Sequence, residues 1–461
     1  MDFDVVTLSR IQFALTTIFH FLFPPLSIGL AAIMVIMESI YVKTKDPLYE
    51  KMSKFWVKVF AANFSVGVAT GIVLEFEFGT NWATYSRYVG DIFGSPLAAE
   101  GIFAFFLESG FLAILLFGWD KVKPGTHLFS TIMVSLGSIF SAFWIVVANS
   151  WMQTPAGFHI VGEGLNARAE IVDFWAVVFN PSSMIRFFHT VTASFIVGGF
   201  FVMSISAYYI LKNKHLIFAK KSFLIALIFS FIASIAQLIQ GDLHSKNVAE
   251  YQPAKLAAYE GLYKTTEHAP LFIFGYPDSK TQETYGIKIP GMLSLLIYAD
   301  ASKTVKGLDQ FKPDERPPVW ISFQMYHLMI VFGTYFILIT MIALFLYWRK
   351  KLFSNRFILK IFVVSVLFPY IACEAGWIAT EVGRQPWIVY GLLKTSDAVS
   401  KAISSGAVLS SIIMFSVIYI LLFFVWLYVM DKKIKGGPED TERVELLSAA
   451  GEEYFKDEKG D

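Results

Sequence analysis

Residues 374–387 read Glu-Ala-Gly-Trp-Ile-Ala-Thr-Glu-Val-Gly-Arg-Gln-Pro-Trp, and they directly follow an apolar run at 357–373. Two carboxylates, an arginine and two indoles therefore stand where a membrane-spanning helix ends. Ionisable groups at such a depth are costly and mark a functional site by default. Glu374 and Glu381 are seven residues apart with Trp377 between them, so the three side chains share one helical face. Interfacial anchoring would explain the arginine and the tryptophans, but it does not explain the two glutamates.

The composition is that of a membrane protein. Of the 461 residues 55% are hydrophobic and 16% are charged, and the mean hydropathy is +0.56, which is too apolar for an ordinary soluble chain. The formal net charge of +1, without a basic stripe, argues against a nucleic-acid partner. A single cysteine, Cys373, excludes a disulfide framework and sites built from several thiolates. The first residues lack a basic segment and a cleavage site, so no removable signal peptide is predicted.

Nine apolar runs reach the length of about 20 residues that crosses a bilayer. They predict an all-α integral membrane protein with about nine transmembrane helices. The runs lie at residues 11–41, 55–76, 97–118, 128–148, 184–211, 223–239, 320–348, 357–380 and 407–430.

Lysine and arginine are concentrated in the loops after the first, third, fifth and seventh runs and in the tail after the ninth. Because such loops stay in the cytoplasm, the pattern predicts an N-terminus outside and a cytoplasmic C-terminus. We expect a six-helix membrane part at 1–240, an extracytoplasmic loop at 241–318, a three-helix membrane part at 319–430 and a cytoplasmic tail at 431–461. A loop of this length is either disordered or functional.

Carboxylates also lie inside the third apolar run. Glu100 and Glu108 are eight residues apart, close to two helical turns, so both face the same side of the helix. A series of carboxylates can pass protons through a bilayer, because each can be neutral or charged. A structural hydrogen bond to a neighbouring helix is the alternative, and two glutamates in register favour the proton relay.

Three histidines, His20, His189 and His327, fall within or beside apolar runs. A lone membrane histidine usually forms a hydrogen bond to another helix. Three of them, together with Met329 and the buried glutamates, suggest ligands for haem iron. The predicted topology puts His189 and Met329 at similar depth near the outer face, so one haem could bridge them. His20 and Glu381 lie on the same side of the membrane.

The motifs of the chain resemble those of one known family, the large subunit of the bd-type quinol oxidases, over nearly its whole length and in the family's order. They are Leu8-Ser-Arg-Ile-Gln-Phe-Ala-Leu-Thr, Phe19-His-Phe-Leu-Phe, Glu75-Phe-Glu-Phe-Gly-Thr-Asn-Trp, Ala99-Glu-Gly, Phe105-Phe-Leu-Glu-Ser, Ala148-Asn-Ser-Trp-Met-Gln, Phe188-His-Thr-Val and residues 374–387. The run Gly383-Arg-Gln-Pro-Trp387, with Glu381 before it, is highly specific.

The resemblance implies three haems. It makes His189 and Met329 the axial ligands of a low-spin haem b, and it makes His20 and Glu381 ligands of a high-spin haem b and a haem d. Which of these two residues serves which haem stays open. A third haem b in place of haem d is a further alternative. Trp377 would lie close to the haems.

The same resemblance implies further site residues. It places polar side chains along the haem pocket, the proton path and the haem propionates, namely Glu100, Glu108, Arg384, Ser141 and Asn149. It makes Lys255 and Glu260, in the long loop, the quinol-binding pair. That pair suits the chemistry, because a carboxylate can accept a proton from quinol while a lysine holds an oxygen atom. From the residues alone, a solvated helical turn would be the preferred interpretation.

The chain departs from the family pattern in two places. Where common members carry Phe-Arg-x-Met, it reads Phe-Gln-Met-Tyr-His-Leu-Met at 323–329. Met325 and His327 are therefore competing ligands, and Met329 is preferred because Gly333 keeps its spacing from it. The outer loop is also short, as in the short-loop class of the family.

The resemblance implies a terminal respiratory oxidase subunit in the bacterial cytoplasmic (inner) membrane. It would oxidise ubiquinol or menaquinol at the outer face and reduce dioxygen to water with protons from the cytoplasm. This would build a membrane potential without pumping. The implied partners are membrane lipid and a smaller multi-span subunit II, and a single-span small subunit is left open.

Two other functions compete with this interpretation. A proton-coupled transporter also needs buried glutamates and histidines, but transporters usually show paired repeats with broken helices, which nine spans and one long loop do not suggest. A quinol-oxidising subunit with low-spin haem alone would have no use for His20 and Glu381 as ligands.

Overall fold

The computed structural model describes residues 4–438. Within that range it is mostly helical, and nine segments are long and apolar enough to cross a membrane. The predicted fold class is therefore confirmed. Most of the predicted tail at 431–461 lies outside the described residues.

The helices follow one another along the chain with few strands between them. They are α1 (Val5–Phe21), α2 (Pro24–Thr44), α3 (Pro47–Thr80), α4 (Ala83–Ala99), α5 (Phe106–Phe117), α6 (Pro124–Gln153), α7 (Phe174–Val178), α8 (Ser183–Leu211), α9 (Leu216–Tyr251), α10 (Pro253–Tyr259), α11 (Met292–Tyr298), α12 (Val319–Trp348), α13 (Arg356–Val364), α14 (Leu367–Val382), α15 (Thr395–Ala398) and α16 (Ser405–Gly436). Three antiparallel hairpins pair β1 (Phe158–Val161) with β2 (Arg168–Ile171), β3 (Leu271–Asp278) with β4 (Glu283–Ile289), and β5 (Trp387–Val389) with β6 (Leu393–Lys394).

Three of the membrane segments are not uniform helices. The first consists of α1 and α2, and α2 begins at Pro24, where a proline needs no helical hydrogen bond. A π-helical stretch, Glu100–Phe105, joins α4 to α5; such stretches are frequent at functional sites. The eighth segment is divided between α13 and α14 near Ser365.

The helices alternate in direction, so their connections gather at two ends of the bundle. We call one the lysine-rich end, formed by residues 45–46, 118–123, 212–215 and 349–355. We call the other the loop end, formed by residues 81–82, 154–182, 252–318 and 383–404. The sequence predicts that the lysine-rich end faces the cytoplasm.

Helix α8 lies at the centre of the bundle and is buried along most of its length, whereas α16 is mostly exposed. Helix α8 packs closely on α2 through two glycines, Gly198 in α8 and Gly29 in α2. A Cβ added to Gly29 would lie only 2.8 Å from the Cα of Gly198. Any larger residue at either position would force the two helices apart.

The long loop is folded rather than disordered. Helix α9 runs past the expected boundary at 240 to Tyr251, and α10, the β3–β4 hairpin and α11 follow it. These elements share an apolar cluster that includes Leu256, Tyr259, Leu293 and Val305. The cluster fixes α10 against the membrane helices α9 and α12.

Candidate functional site

A cavity of about 360 Å³ lies between α8, α9, α12 and α14, and residues of α10 line it toward the loop end. His189 on α8 and Met329 on α12 both line it. Its other walls are mostly apolar, and Gly333 lines it where a Cβ would meet no atom within 4 Å. The structure thus brings the two predicted ligands of one haem to a single cavity.

Several polar atoms around this cavity lack a partner in the part of the chain that the structure describes. His189 Nε2 lies 3.1 Å from Gln237 Nε2, but His189 Nδ1 and Gln237 Oε1 are buried without hydrogen bonds. Buried polar groups are nearly always satisfied. The imidazole therefore fits a site that an additional polar or metal-containing group completes.

The two competing ligands on α12 are engaged elsewhere. His327 is buried, with Nδ1 2.9 Å from Phe323 O and Nε2 2.9 Å from Phe272 O. Met325 packs against the apolar cluster of the loop. The geometry therefore favours Met329 as the residue on α12 that faces His189.

A network of charged groups surrounds Glu381 at the end of α14. Arg384 forms an ion pair with Glu381, and Asn149 Nδ2 donates to Glu381 Oε1 at 3.1 Å. Arg186 donates in turn to Asn149. Arg186 and Arg384 are 6% and 4% exposed, and among the described residues both retain buried N–H groups without a partner. Such unused donors suit an anionic group, for example a carboxylate of a bound cofactor.

The predicted quinol pair is buried, contrary to a solvated turn. Lys255 and Glu260 are 2% and 1% exposed. Lys255 Nζ donates to Gln153 Oε1. Gln153 Nε2 donates in turn to Glu381 Oε1 at 3.4 Å. Burial and the positive charges of Arg186 and Arg384 lower the pKa of Lys255 well below its usual value.

Glu260 has the opposite shift. Burial raises its pKa to about 8, although a hydrogen bond with Tyr326 opposes that shift. Its second oxygen, Oε2, has no partner among the described residues. A carboxyl group with a pKa near neutrality can both accept and release a proton at physiological pH.

His20 ends α1 and faces α3. Its Nδ1 lies 2.9 Å from Thr70 Oγ1, and that hydroxyl donates to Val66 O at 3.0 Å. When the Thr70 hydroxyl donates to this carbonyl, His20 Nδ1–H is the donor to Thr70, and the lone pair of Nε2 is left for a ligand. The neighbouring Phe21 contacts Trp377, with ring centroids 5.3 Å apart, so α1 and α14 meet here.

The predicted proton-relay glutamates lie against α6. Ser141 Oγ donates to Glu100 Oε1 at 2.8 Å. Glu108 is 8% exposed and packs on Gly137, where an added Cβ would lie 2.6 Å from its Cγ. The two carboxylates therefore follow one face of α6.

Sequence reasoning missed three contributors, namely Arg186, Gln153 and Gln237. A signal existed for Arg186, since it stands three residues before His189 in an otherwise apolar run and thus shares its face. Gln153 ends the motif at residues 148–153, but no role was assigned to it, and nothing in the sequence singled out Gln237 within α9.

Comparison with known proteins shows which family the chain belongs to. The profile of the family described as cytochrome bd terminal oxidase subunit I matches residues 8–438. The chain belongs to this family. Among curated relatives, the cytochrome bd ubiquinol oxidase subunit 1 of Bacillus subtilis (strain 168) is 42% identical over 445 residues, which cover 94% of each chain. The cytochrome bd-II ubiquinol oxidase subunit 1 of Escherichia coli (strain K12) is 38% identical, covering 94% of this chain and 97% of that one.

A solved structure agrees. The bd oxidase from Geobacillus thermodenitrificans superposes with a TM-score of 0.87 at 31% identity, over 94% of this chain and 99% of that chain. The resemblance read from the motifs is thereby confirmed, and the transporter hypothesis is excluded. The chain is subunit I of a cytochrome bd-type terminal quinol oxidase, an oxidoreductase of a haem-containing family with quinol and dioxygen as substrates. The predicted location, as a multi-pass protein of the bacterial cytoplasmic membrane, is confirmed as well.

The position of Met329 allows a mild test of its predicted role as a ligand of a low-spin haem. A Cβ added to Gly376 would lie 2.9 Å from Met329 Sδ, and a thioether is flexible enough to move. We expect Gly376→Ala to cost less than about 1 kcal/mol in stability and to shift or broaden the low-spin haem band. Gly125→Ala, where the added Cβ meets nothing within 4 Å, serves as control. If the optical spectrum of Gly376→Ala matches that of the parent as closely as the spectrum of Gly125→Ala does, the placement of Met329 is contradicted.

Proposed function

We propose that this chain carries three haems, oxidises quinol at the loop end of the bundle and reduces dioxygen to water with protons from the lysine-rich end. The observation that carries the proposal is the position of α10. Leu256 and Tyr259 of α10 line the cavity that holds His189 and Met329, while Lys255 on the same helix joins the Glu381 network. Quinol bound at α10 would thus lie next to the cavity that His189 and Met329 line.

His189 and Met329 would hold a low-spin haem b, and His20 and Glu381 would serve the two high-spin haems. Haem d, or a third haem b, would complete the set. When bound, these groups supply one-electron transfer and the reduction of dioxygen. The spare donors of Arg186 and Arg384 would neutralise haem carboxylates, and Trp377 would pack close to the haems, 5.9 Å from the Arg186 guanidinium.

Lys255 and Glu260 would handle the quinol. Lys255 can donate a hydrogen bond to an oxygen of the bound quinol or to the carbonyl of the quinone product. Glu260 takes the released proton when it is ionised. Stacked Tyr259 and Tyr326, with ring centroids 4.6 Å apart, flank the pair with aromatic surface suited to a flat ring.

The pKa of Glu260 predicts a pH dependence. Because the carboxyl group must be ionised to accept a proton and its pKa is raised to about 8, the ionised fraction grows about fivefold between pH 7 and pH 8. We expect kcat/KM for quinol to rise by a similar factor over that interval. In Glu260→Gln, kcat/KM should be lower and the rise should disappear.

The control for this prediction is Glu267→Gln, a change at a loop residue outside the cavity lining. It should keep the pH profile of the parent. A Glu260→Gln enzyme with the same pH rise as the parent would mean that the rise belongs to the quinol or to another group.

The remaining parts of the proposal concern charge movement. Protons released from quinol leave on the outer side, and protons for water come from the cytoplasm along Glu108 and Glu100. This separates charge and builds a membrane potential without pumping. The carboxylate series along α6 supports this direction, because it leads from the lysine-rich half of the bundle toward its centre. A smaller multi-span subunit II would accompany the chain, in keeping with the large apolar surface of α16.

The purified complex, reconstituted in lipid vesicles, tests the function directly. We expect oxygen consumption driven by ubiquinol or menaquinol, with two quinols consumed for each dioxygen because reduction to water takes four electrons. A membrane potential should develop in the same vesicles. No quinol-driven oxygen uptake, or hydrogen peroxide as the main product, would contradict the proposal.

A further inference from the structure

A buried acid–base pair at the lysine-rich end takes no part in the site described above. Glu38 in α2 and His127 in α6 are each 1% exposed, and His127 Nδ1 lies 2.6 Å from Glu38 Oε1. Thr131 Oγ1 donates to Glu38 Oε2 at 2.5 Å, and His127 Nε2 lies 3.2 Å from Leu115 O. Because a carbonyl can only accept, Nε2 carries a hydrogen, and the proton between Nδ1 and Oε1 can sit on either atom.

Stability alone is a weak reason for such a pair. Buried ion pairs are often no better for folding than apolar residues of similar size, since desolvation offsets their attraction. A pair that shares one mobile proton can instead take up a proton on one side and release it on the other.

Hydroxyl groups continue from the pair along the same helix. Thr131, Ser135 and Ser138 of α6 are 0%, 6% and 5% exposed, and their spacing of four and three residues places them about 4.5 to 6 Å apart along the axis. One water molecule spans such a gap. Within residues 4–438 Ser138 Oγ is buried and forms no well-aligned hydrogen bond, and it lies within reach of the Glu108 carboxyl group, so it can bind a bridging water.

The series of hydroxyls arrives at the relay glutamates. Glu108 packs against Gly137, next to Ser138, and Ser141 one turn further donates to Glu100 at 2.8 Å. The groups from Glu38 to Glu100 thus follow one helix from the lysine-rich end to the middle of the membrane.

The side chains of Trp119 and Lys54 lie between the Glu38–His127 pair and the loops at the lysine-rich end. The Trp119 ring lies against His127, with centroids 3.8 Å apart. Lys54 Nζ lies 5.3 Å from the Trp119 ring and pairs with Glu50 at 2.7 Å. Tyr41, one turn after Glu38 in α2, is a further titratable group on that side.

We propose that Glu38 and His127 take up protons from the lysine-rich side and pass them through Thr131, Ser135 and Ser138 to Glu108. This rests on the proposed function, in which protons for water enter from that side. Each hydroxyl gives its proton to the next oxygen and receives one from the previous group. Each such transfer moves one proton along the series of groups, and no group is oxidised or reduced.

The test uses the complete complex in vesicles. Glu38→Gln should reduce quinol oxidase turnover per haem about tenfold or more, with the haem content unchanged and an enlarged solvent deuterium isotope effect. Glu38→Asp should restore part of the rate. Ser130→Ala is the matched control, because Ser130 is buried beside Thr131 but bonds only to its own helix at Thr126 O, 3.0 Å away.

A purely structural pair would behave differently. Glu38→Gln would then lower the melting temperature or the haem content, while turnover per haem and the isotope effect stayed at parental values, and the inference would be overturned. If Glu38→Gln does not assemble, the double variant Ser135→Ala/Ser138→Ala replaces it, with a slower turnover expected and an unchanged one contradicting the path. An unmodified complex without oxidase activity would contradict the proposed function instead.

Discussion

The His189→Ala variant is expected to lose the low-spin haem signal and to keep the high-spin pair. His189 supplies a buried imidazole with a spare nitrogen to the cavity that Met329 also lines, and alanine offers no ligand atom. Quinol oxidase activity should fall to background, a loss of about 100-fold or more, because the first electron acceptor is missing. The measurement is the reduced-minus-oxidised spectrum of the purified variant together with its rate of oxygen uptake.

His159→Ala provides the matched control for this variant. Its side chain is 52% exposed on the β1–β2 hairpin, 3.8 Å from Glu170, and faces no cavity. It should leave spectrum and rate unchanged. Retention of the low-spin absorbance in His189→Ala would contradict the assignment of this histidine, whatever the activity.

The Glu381→Ala variant is expected to lose one high-spin haem and nearly all oxygen reduction. It should also be less stable, because the carboxylate compensates Arg384 directly and Arg186 and Lys255 through Asn149 and Gln153. Removal of one partner from a fully buried pair costs about 3–5 kcal/mol. The Glu381 side chain is 31% exposed, so we expect a smaller cost of about 2 kcal/mol.

Pyridine haemochrome quantification and thermal unfolding measure the two effects separately. The control is Glu315→Ala, which removes an acid of similar exposure, 32%, from another pair of i, i+3 spacing, 3.5 Å from Lys312. It should change neither haem content nor melting temperature. A Glu381→Ala protein with its full pigment complement would indicate that the glutamate is structural.

The membrane segments could be predicted from the sequence because hydrophobicity acts locally. Every expected span contains a helix of the structure. What the apolar runs could not indicate is how a span is subdivided. The division of 11–41 into α1 and α2, and the π-helical stretch Glu100–Phe105, depend on packing with neighbouring helices as well as on Pro24.

A site residue could be predicted where its residue type is unusual for its position in the sequence. It could not be predicted where packing between distant parts of the chain determines its environment. Glu381 and His189 stand out in apolar runs, so they could be found by sequence alone. Lys255 and Glu260 looked like a solvated turn, and only the folded loop buries them. The competition between His327 and Met329 likewise depends on a carbonyl of Phe272, which is 55 residues away in sequence.

One measurement tests the central claim most directly, namely that this chain binds three haems at His189, Met329, His20 and Glu381. It is the reduced-minus-oxidised optical spectrum of the purified complex, with the haems counted by pyridine haemochrome. We predict a low-spin haem b band together with high-spin haem signals, with a chlorin band toward the red end if haem d is present. A complex without haem, or one with low-spin haem alone, would contradict the account.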